Sequence, residues 1–106
     1  MDTPHDRAAQ VLEWKHLTEE ALPAMARQYR WPLRLDHCFK RVCLDHAFGD
    51  VWYRHVKKPA ERHLSSEDLG RAVQCARDIA RDGKALLKER NDQSLQWREK
   101  GAYRRP

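Results

Sequence analysis

The sequence predicts an all-α fold, a small bundle of about four to five helices in which the longest runs from about Ser66 to Asn91. Apolar residues recur at intervals of three and four along much of the chain, which is the spacing of one helical face. No stretch alternates apolar and polar residues in the Val-, Ile- and Thr-rich manner of a strand. Hydrophobic residues make up 41% of the chain and charged residues 35%, a balance that favours a folded domain over disorder.

Two helical pieces are expected before Pro32. Thr3 and Pro4 form a start signal, because a threonine can cap a helix and proline suits its first position. Thr18 is a second start signal, since acidic residues follow it in the first turn. Pro23 then either kinks that helix or begins a new one, because proline removes a backbone donor from the helix interior.

A central helix is expected from Asp36, a good N-cap, to Phe48. Gly49 suits the left-handed conformation in which many helices end. Most of the apolar residues form one stripe, but Leu44 and Phe48 lie on another face, and a helix apolar on two sides is usually central in a bundle. His46 lies near the middle of the stripe, so we predict a buried, neutral imidazole with a lowered pKa.

The clearest local signal is the start of the long helix. Ser65 can cap the backbone N–H of Asp68, and Leu64 and Leu69 occupy the two positions of a hydrophobic staple. The helix that begins here is expected to run to about Asn91 along a continuous apolar face. We expect it to pack against the central helix.

A length of 106 residues allows one domain with a single hydrophobic core. We expect this domain to cover residues 1–93, followed by a basic, flexible tail, residues 94–106, in which apolar periodicity is weak.

Gly83 falls on the apolar side of the long helix, where it could mark a close helix crossing. It should weaken that helix by about 1 kcal/mol relative to alanine.

The cysteine count and the hydropathy pattern indicate a compartment. Three cysteines fit free thiols in a reducing cytosol better than a disulfide framework. The sequence contains no apolar run long enough to span a bilayer and no signal-peptide pattern. We therefore expect a cytoplasmic protein with no membrane contact, and the sequence leaves the oligomeric state open.

The net charge of +5 is concentrated in the second half of the chain, where residues 51–106 hold 14 Lys and Arg against 8 Asp and Glu. Four of these cations are spaced by four, three and four residues, which places them on one side of the long helix despite their mutual repulsion. We name this set the basic flank: Arg77, Arg81, Lys84 and Lys88. Three further cations would extend the flank if the break before the long helix folds beside it: Lys57, Lys58 and Arg62. A phosphate backbone or an acidic protein would favour such sorting, whereas the alternative is a solvated face sorted by accident.

The sequence offers one pair of possible metal ligands and no catalytic motif. Cys43 and His46 lie three residues apart and could share a zinc ion, but zinc usually takes four ligands from two short spacings, and the sequence offers one such pair. The alternative is a core histidine beside a cysteine that acts as a small hydrophobe. No motif such as G-x-S-x-G or H-E-x-x-H occurs, so we expect no catalytic residue, metal or cofactor.

The run WPLRLDHCFKRVCLDHAFGDVWY, followed by KKPAERHLSSEDLGRAV, resembles a group of short bacterial proteins labelled GNAT-type N-acetyltransferases. The resemblance covers about residues 30–80. It implies acetyl transfer from acetyl-CoA, a mixed α/β fold and a pyrophosphate-binding loop of the form Q/R-x-x-G-x-G/A. The glycines at positions 49, 70, 83 and 101 do not form that loop, so no acetyltransferase residue is carried over.

The sequence as a whole favours a small, non-enzymatic binding or regulatory protein. Its basic flank would dock an anionic partner, either nucleic acid or an acidic protein face. One alternative is an N-acetyltransferase-related protein, as the resemblance implies. Another alternative is a structural adaptor that buries an aromatic face.

Overall fold

A computed structural model describes the backbone of residues 4–102 and the side chains of residues 6–99, and within these residues the chain is helical and contains no strand. The predicted all-α bundle is confirmed. The elements, in chain order, are α1 (Pro4–Lys15), a π-helical segment (His16–Ala21), α2 (Leu22–Tyr29), α3 (Asp36–Phe48), a 3₁₀ turn (Trp52–Arg54), α4 (Ala60–His63), α5 (Ser66–Asp82) and α6 (Lys84–Ala102). No described helix is both long enough and apolar enough to cross a membrane. Thr3, the expected cap of α1, and residues 103–106 lie outside the described residues.

The N-terminal helical pieces join without a break. Thr18, which we expected to cap a new helix, is buried inside a continuous helical run, and its hydroxyl donates to the Trp14 carbonyl at 2.8 Å. The backbone N–H of Leu22 bonds to the Leu17 carbonyl, five residues back, as in a π-helix. These wider turns lie just before Pro23, whose ring would clash with the carbonyl four residues earlier in a regular α-helix.

Helix α3 lies at the centre of the bundle, as its two-sided apolar pattern predicted. It packs most extensively against α5 and also contacts the π-helical segment and α6. Leu35, with φ −99° and ψ 146°, occupies the N-cap position that we assigned to Asp36. Asp36 is instead the first helical residue, where its negative charge complements the helix dipole. Gly49 ends α3 in the left-handed conformation, with φ 67°, and its N–H bonds to the Asp45 carbonyl at 2.8 Å.

The start of α5 follows the predicted capping pattern. Ser65 is the N-cap, and its Oγ accepts a hydrogen bond from the Asp68 N–H at 3.0 Å. Leu64 and Leu69, the two staple residues, are both buried in the core. The beginning of this helix was therefore readable from six consecutive residues.

The predicted single helix from Ser66 to Asn91 is wrong, because it breaks at Gly83. This glycine has φ 83° and ψ −151°, a conformation that residues with a side chain rarely adopt. A Cβ built on Gly83 would meet nothing within 4 Å, so the glycine provides a bend and not a close helix crossing. The bend gives α6 a new direction, in which it contacts both α3 and α5.

Helix α6 continues to Ala102, across the position where we expected the domain to end at residue 93 and a flexible tail to begin at residue 94. Ser94 is fully buried, and the Trp97 ring centroid lies 4.9 Å from that of His46. Arg98 donates to the Asp45 carboxylate at 2.8 Å. These contacts fasten Ser94, Trp97 and Arg98 to α3.

Candidate anion-binding cleft

The bend at Gly83 divides the basic flank between two helices. Arg77 and Arg81 belong to α5, whereas Lys84 and Lys88 belong to α6. The regular spacing that suggested one continuous stripe is therefore interrupted at its midpoint.

Most of the flank cations already have carboxylate partners. The pairs are Arg77–Glu13 at 2.7 Å, Arg81–Asp82 at 2.9 Å and Lys88–Asp92 at 2.9 Å. The hydrogen bond from Arg77 lowers the pKa of the Glu13 carboxyl, which keeps that carboxylate charged. Lys84 is exposed and forms no ion pair with a described side chain. The flank is thus a surface of alternating charge, although exposed pairs of this kind contribute little to stability.

We expected three further cations to extend the basic flank: Lys57, Lys58 and Arg62. Lys57 and Lys58 precede the short helix α4, Arg62 lies on it, and all three are exposed. The Lys58 Nζ lies 4.6 Å from the ring centroid of Tyr53, over its face. Lys58 also lines a cleft with residues of α3. The structure therefore brings one of these three cations to a concave surface next to the central helix.

This concave surface has a volume of about 310 Å³ and lies between α3 and the segment that leads into α4. We name it the basic cleft, and its walls are His37, Lys40, Arg41, Leu44, Trp52, Lys58, Pro59, Ala60 and Glu61. The four α3 residues are spaced by three, one and three, so they share one face of that helix. Three cations and one carboxylate stand here beside an aromatic ring and aliphatic side chains, a mixture that is typical of ligand sites.

Lys40 is held in the basic cleft by two carboxylates. Its Nζ lies 2.6 Å from an oxygen of Glu19 and 3.5 Å from one of Glu61. Burial works against the charge of the ammonium, but the hydrogen bond to Glu19 and the field of Glu61 outweigh it and raise the pKa of Lys40. Lys40 therefore stays protonated throughout the physiological range.

Glu61 is held in place by α1 as well as by Lys40. The Trp14 indole N–H donates to its carboxylate at 3.3 Å, and Arg7 donates to its backbone carbonyl at 2.9 Å. Burial works against the charged form, but the backbone N–H of Glu61 and the positive charge of Lys40 together lower the pKa of Glu61. The cleft thus keeps a fixed carboxylate at one edge.

Arg41 differs from Lys40 because its hydrogen-bond partners are neutral. It donates to the Ser94 hydroxyl at 2.8 Å and to the Asn91 side-chain oxygen at 2.7 Å. Burial, followed by the nearby positive charge of Arg98, lowers the pKa of Arg41, but a guanidinium still stays charged at neutral pH. No described carboxylate lies within ion-pair distance of Arg41. The charge of Arg41 is therefore oriented but not neutralised.

A buried carboxylate behind the cleft fixes these positions. Asp45 is fully buried on α3 and accepts hydrogen bonds from the Ser94 hydroxyl at 2.6 Å and from Arg98 Nε at 2.8 Å. It also accepts from the backbone N–H of Trp52 at 3.1 Å. The Ser94 hydroxyl donates to Asp45 and also accepts a hydrogen bond from Arg41. One hydrogen-bond network therefore joins α3, α6 and the 3₁₀ turn that carries Trp52.

Sequence reasoning missed this network. Asp45 lies in a helix that is apolar on two sides, and a carboxylate buried in such a helix needs a partner. The sequence therefore indicated that Asp45 has one. Arg98, the charged partner, lay in the stretch that we had assigned to a flexible tail. The position of Asp45 thus indicated that a buried partner exists, but the residues around Arg98 gave no sign that Arg98 is that partner.

Cys43, one of the two possible zinc ligands, is fully buried in the hydrophobic core. The other, His46, has its Nε2 atom 3.0 Å from the Arg90 carbonyl. Among the side chains that the structure describes, no group of three or more His, Cys, Asp or Glu residues is placed to hold a metal ion. We predicted a buried His46; its side chain is half-buried, and that burial lowers its pKa.

No protein-family model, curated protein or solved structure matches the chain. The described residues do not form the mixed α/β architecture that the resemblance to acetyltransferases implies. The resemblance itself stays a prediction.

Proposed function

We propose that this protein is a small, non-enzymatic binding protein that docks single-stranded nucleic acid, with the basic cleft as the contact for the phosphate backbone. The observation that carries this proposal is the convergence of Lys40, Arg41 and Lys58 on one concave surface, where Glu61 is the carboxylate of the wall. Lysine and arginine side chains bind phosphate oxygens through charge-assisted hydrogen bonds.

The basic cleft suits an anion better than the basic flank does. The cations at Arg77, Arg81 and Lys88 donate to carboxylates of the chain itself, so an incoming phosphate would have to displace those partners. Arg41, by contrast, is held by neutral oxygens, and Lys58 lies over an aromatic face. Both can accept an anion without losing an ion pair, whereas Lys40 is already paired with Glu19 and Glu61 and contributes mainly to the shape of the cleft.

The aromatic side chains favour nucleic acid over an acidic protein. Trp52 lines the cleft, and the Tyr53 ring, whose centroid lies 5.7 Å from that of Trp52, belongs to a residue that is 47% exposed. Aromatic side chains beside cations are typical of single-strand binding, since each stacked base contributes about 1–3 kcal/mol. An acidic protein would make no comparable use of these rings.

Fluorescence anisotropy with labelled single-stranded RNA and DNA at near-physiological salt tests this proposal. The cleft variant is Lys58→Glu together with Lys57→Glu at the neighbouring position outside the cleft wall, and the matched control is Arg81→Glu with Lys84→Glu on the flank. Both double variants change the formal charge equally, so a difference between them reports position and not total charge. We expect the cleft variant to lose about tenfold or more in affinity, because it reverses the Lys58 contact and the charge beside it, and the flank variant to stay close to the parent.

Other outcomes would overturn the proposal. Equal losses in the two double variants would indicate general attraction to a basic surface, and a loss confined to the flank variant would place the contact on the flank. A parent protein that binds an acidic polypeptide but neither oligonucleotide would identify an acidic protein partner. Saturable binding of acetyl-CoA without oligonucleotide binding would favour the acetyltransferase alternative.

A further inference from the structure

A second cleft, of about 260 Å³, opens where α3, α5 and α6 meet. We name it the Arg90 cleft, and its walls are His46 of α3, Arg71, Gln74, Cys75 and Asp78 of α5, and Arg90 of α6. The four α5 residues are spaced by three, one and three, so they share one face of that helix. Because α6 takes a new direction after Gly83, Arg90 lies beside this face of α5.

Arg90 is the cation of this cleft that has no partner among the described residues. Its Nε atom is buried and makes no hydrogen bond with them, and no described carboxylate lies within ion-pair distance of its guanidinium. A buried polar atom without a partner is rare in folded proteins, and a cation that is partly removed from water without an anion is costly. The two terminal nitrogens of the guanidinium are the part that a ligand in the cleft can reach, because Nε itself is enclosed.

The other charged side chains of the wall have partners within the protein. The Arg71 guanidinium pairs with Asp68 one turn earlier on α5. The Asp78 carboxylate lies 3.5 Å from the guanidinium of Arg81. One uncompensated positive charge therefore remains in the cleft, that of Arg90.

The backbone at Arg90 is anchored to α3. His46 Nε2 lies 3.0 Å from the Arg90 carbonyl, and since a carbonyl can only accept, Nε2 carries the proton and donates it. The Trp97 ring packs edge-on against His46, with 4.9 Å between the ring centroids. Arg90 thus has a defined position, and such preorganisation lowers the entropic cost of binding a ligand.

We propose that the Arg90 cleft binds the carboxylate group of a small organic acid. A guanidinium matches the two oxygens of a carboxylate in both geometry and charge. One uncompensated positive charge beside the Asp78 carboxylate suits a monoanion better than a doubly charged phosphate. The cleft is smaller than the sites of drug-sized ligands, which occupy about 300–1,000 Å³, so the acid should be small. This site lies outside the basic cleft, and the inference does not depend on the binding of nucleic acid.

An NMR titration of the isotope-labelled, full-length protein with sodium acetate tests the proposal, with sodium chloride at equal ionic strength as the comparison. Two reporters line the cleft, the Nε–H of Arg90 and the side-chain amide of Gln74. We expect both resonances to shift saturably with acetate and not with chloride. Sodium phosphate should bind more weakly than acetate, because Asp78 disfavours its second negative charge.

Variants at position 90 test the role of the guanidinium, with the Gln74 amide as the reporter. Arg90→Gln should weaken acetate binding by about tenfold or more, since the loss of one charge-assisted hydrogen bond has an effect of this size. Arg90→Lys keeps the charge without the planar fork and should bind with intermediate affinity. The matched control is Arg27→Gln, which removes an exposed cation on α2 and should bind acetate as the parent does. Circular dichroism verifies that each variant is folded.

Asp78→Asn tests the charge argument without altering Arg90. It removes the carboxylate of the wall, so acetate binding should become tighter, and an unchanged or weaker affinity would contradict the argument. Equal shifts with acetate and chloride in the parent would show that the cleft selects no carboxylate. Equal losses in Arg90→Gln and Arg27→Gln would indicate general attraction to a basic surface, and tighter binding of phosphate than of acetate would overturn the assignment to a carboxylate.

Discussion

Asp45 shows how much a single buried residue can determine in a chain of this size. Its carboxylate is fully buried, and it joins Ser94 and Arg98 of α6 to the 3₁₀ turn. A buried ionic pair is weak evidence for net stabilisation, but removal of one partner leaves the other charge and its donors without compensation. The consequences of losing Asp45 should therefore be larger than those of losing any surface carboxylate.

We expect Asp45→Ala to lower the free energy of unfolding by roughly 3–5 kcal/mol, because Arg98 and the Ser94 hydroxyl would lose their acceptor in the interior. Urea unfolding followed by circular dichroism measures the change. The matched control is Asp50→Ala, which removes the pair with Arg54 at the surface and should cost about 1 kcal/mol or less. A loss at Asp45 no larger than that at Asp50 would show that the network does not hold α6.

His46 gives a pH dependence of known sign. Burial lowers its pKa below the ordinary value of 6.5, so the folded protein favours the neutral imidazole. The stabilising contribution is complete above about pH 6.5 and decreases as the pH falls from there to the lowered pKa of the folded state, because the unfolded chain takes up the proton first. An NMR titration should place the His46 pKa below 6.5, and a value at or above 6.5 would contradict the prediction. His46→Gln, which can still donate to the Arg90 carbonyl, should reduce the decline in stability over that window.

At the scale of elements, the start of α5 rests on its cap. Ser65→Ala should cost about 1 kcal/mol of stability, because the Asp68 N–H would lose its acceptor. Ser65→Thr keeps the hydroxyl and should recover most of the loss. Chemical denaturation of the three proteins provides the comparison, and an unchanged midpoint for the alanine variant would mean that the cap contributes nothing.

Substitution of Gly83 by alanine should change stability in opposite directions for a broken helix and for a continuous one. In a continuous helix Gly83→Ala should stabilise the protein by about 1 kcal/mol, but at φ 83° and ψ −151° a Cβ introduces backbone strain of about 1–3 kcal/mol. We therefore expect destabilisation, measured as a lower thermal midpoint. Gly70→Ala is the matched control, since Gly70 lies within α5 and a Cβ there meets Gln10 at an ordinary 3.4 Å. That substitution should be neutral or stabilising, and stabilisation at both positions would rule out the bend.

The sequence predicts some helix boundaries better than others. A boundary is predictable when residues close together in sequence determine it, and it is missed when residues far apart in sequence determine it. The start of α5 was predicted because Leu64, Ser65 and Leu69 act within two turns of each other. The break at Gly83 was missed because apolar residues continue on both sides of it, so the periodicity alone indicates one helix. The last two turns of α6 were missed because their anchors, including Arg98, bind α3 residues about fifty positions away in the chain.

At the scale of the whole molecule, the distribution of charge was harder to predict than the fold. Formal charge and helical spacing marked the basic flank, but carboxylates pair with three of its four cations. One pair is tertiary, between Arg77 and Glu13 of α1, and the other two join Arg81 and Lys88 to acidic neighbours in sequence. The basic cleft depends on the position of the segment around Lys58 relative to α3, which no local pattern determines. Lys58 was among the residues predicted to meet an anion, whereas Lys40 and Arg41 were not.

The dependence of binding on salt counts the phosphate contacts of the whole protein. If Arg41 and Lys58, the cleft cations that have no carboxylate partner among the described residues, each neutralise one phosphate of a single strand, log K should fall with log salt concentration with a slope of about −1.4, since each contact contributes about −0.7. Lys40 is left out of this count because Glu19 and Glu61 already pair with it. Lys58→Ala should reduce the slope to about −0.7 and weaken binding to RNA and DNA alike, because phosphate contacts do not read bases. Lys88→Ala on the flank is the control, and it should leave the slope unchanged because Lys88 is paired with Asp92. Titrations from low to physiological salt provide the slopes, and an equal reduction in both variants would show that the anion does not select the basic cleft.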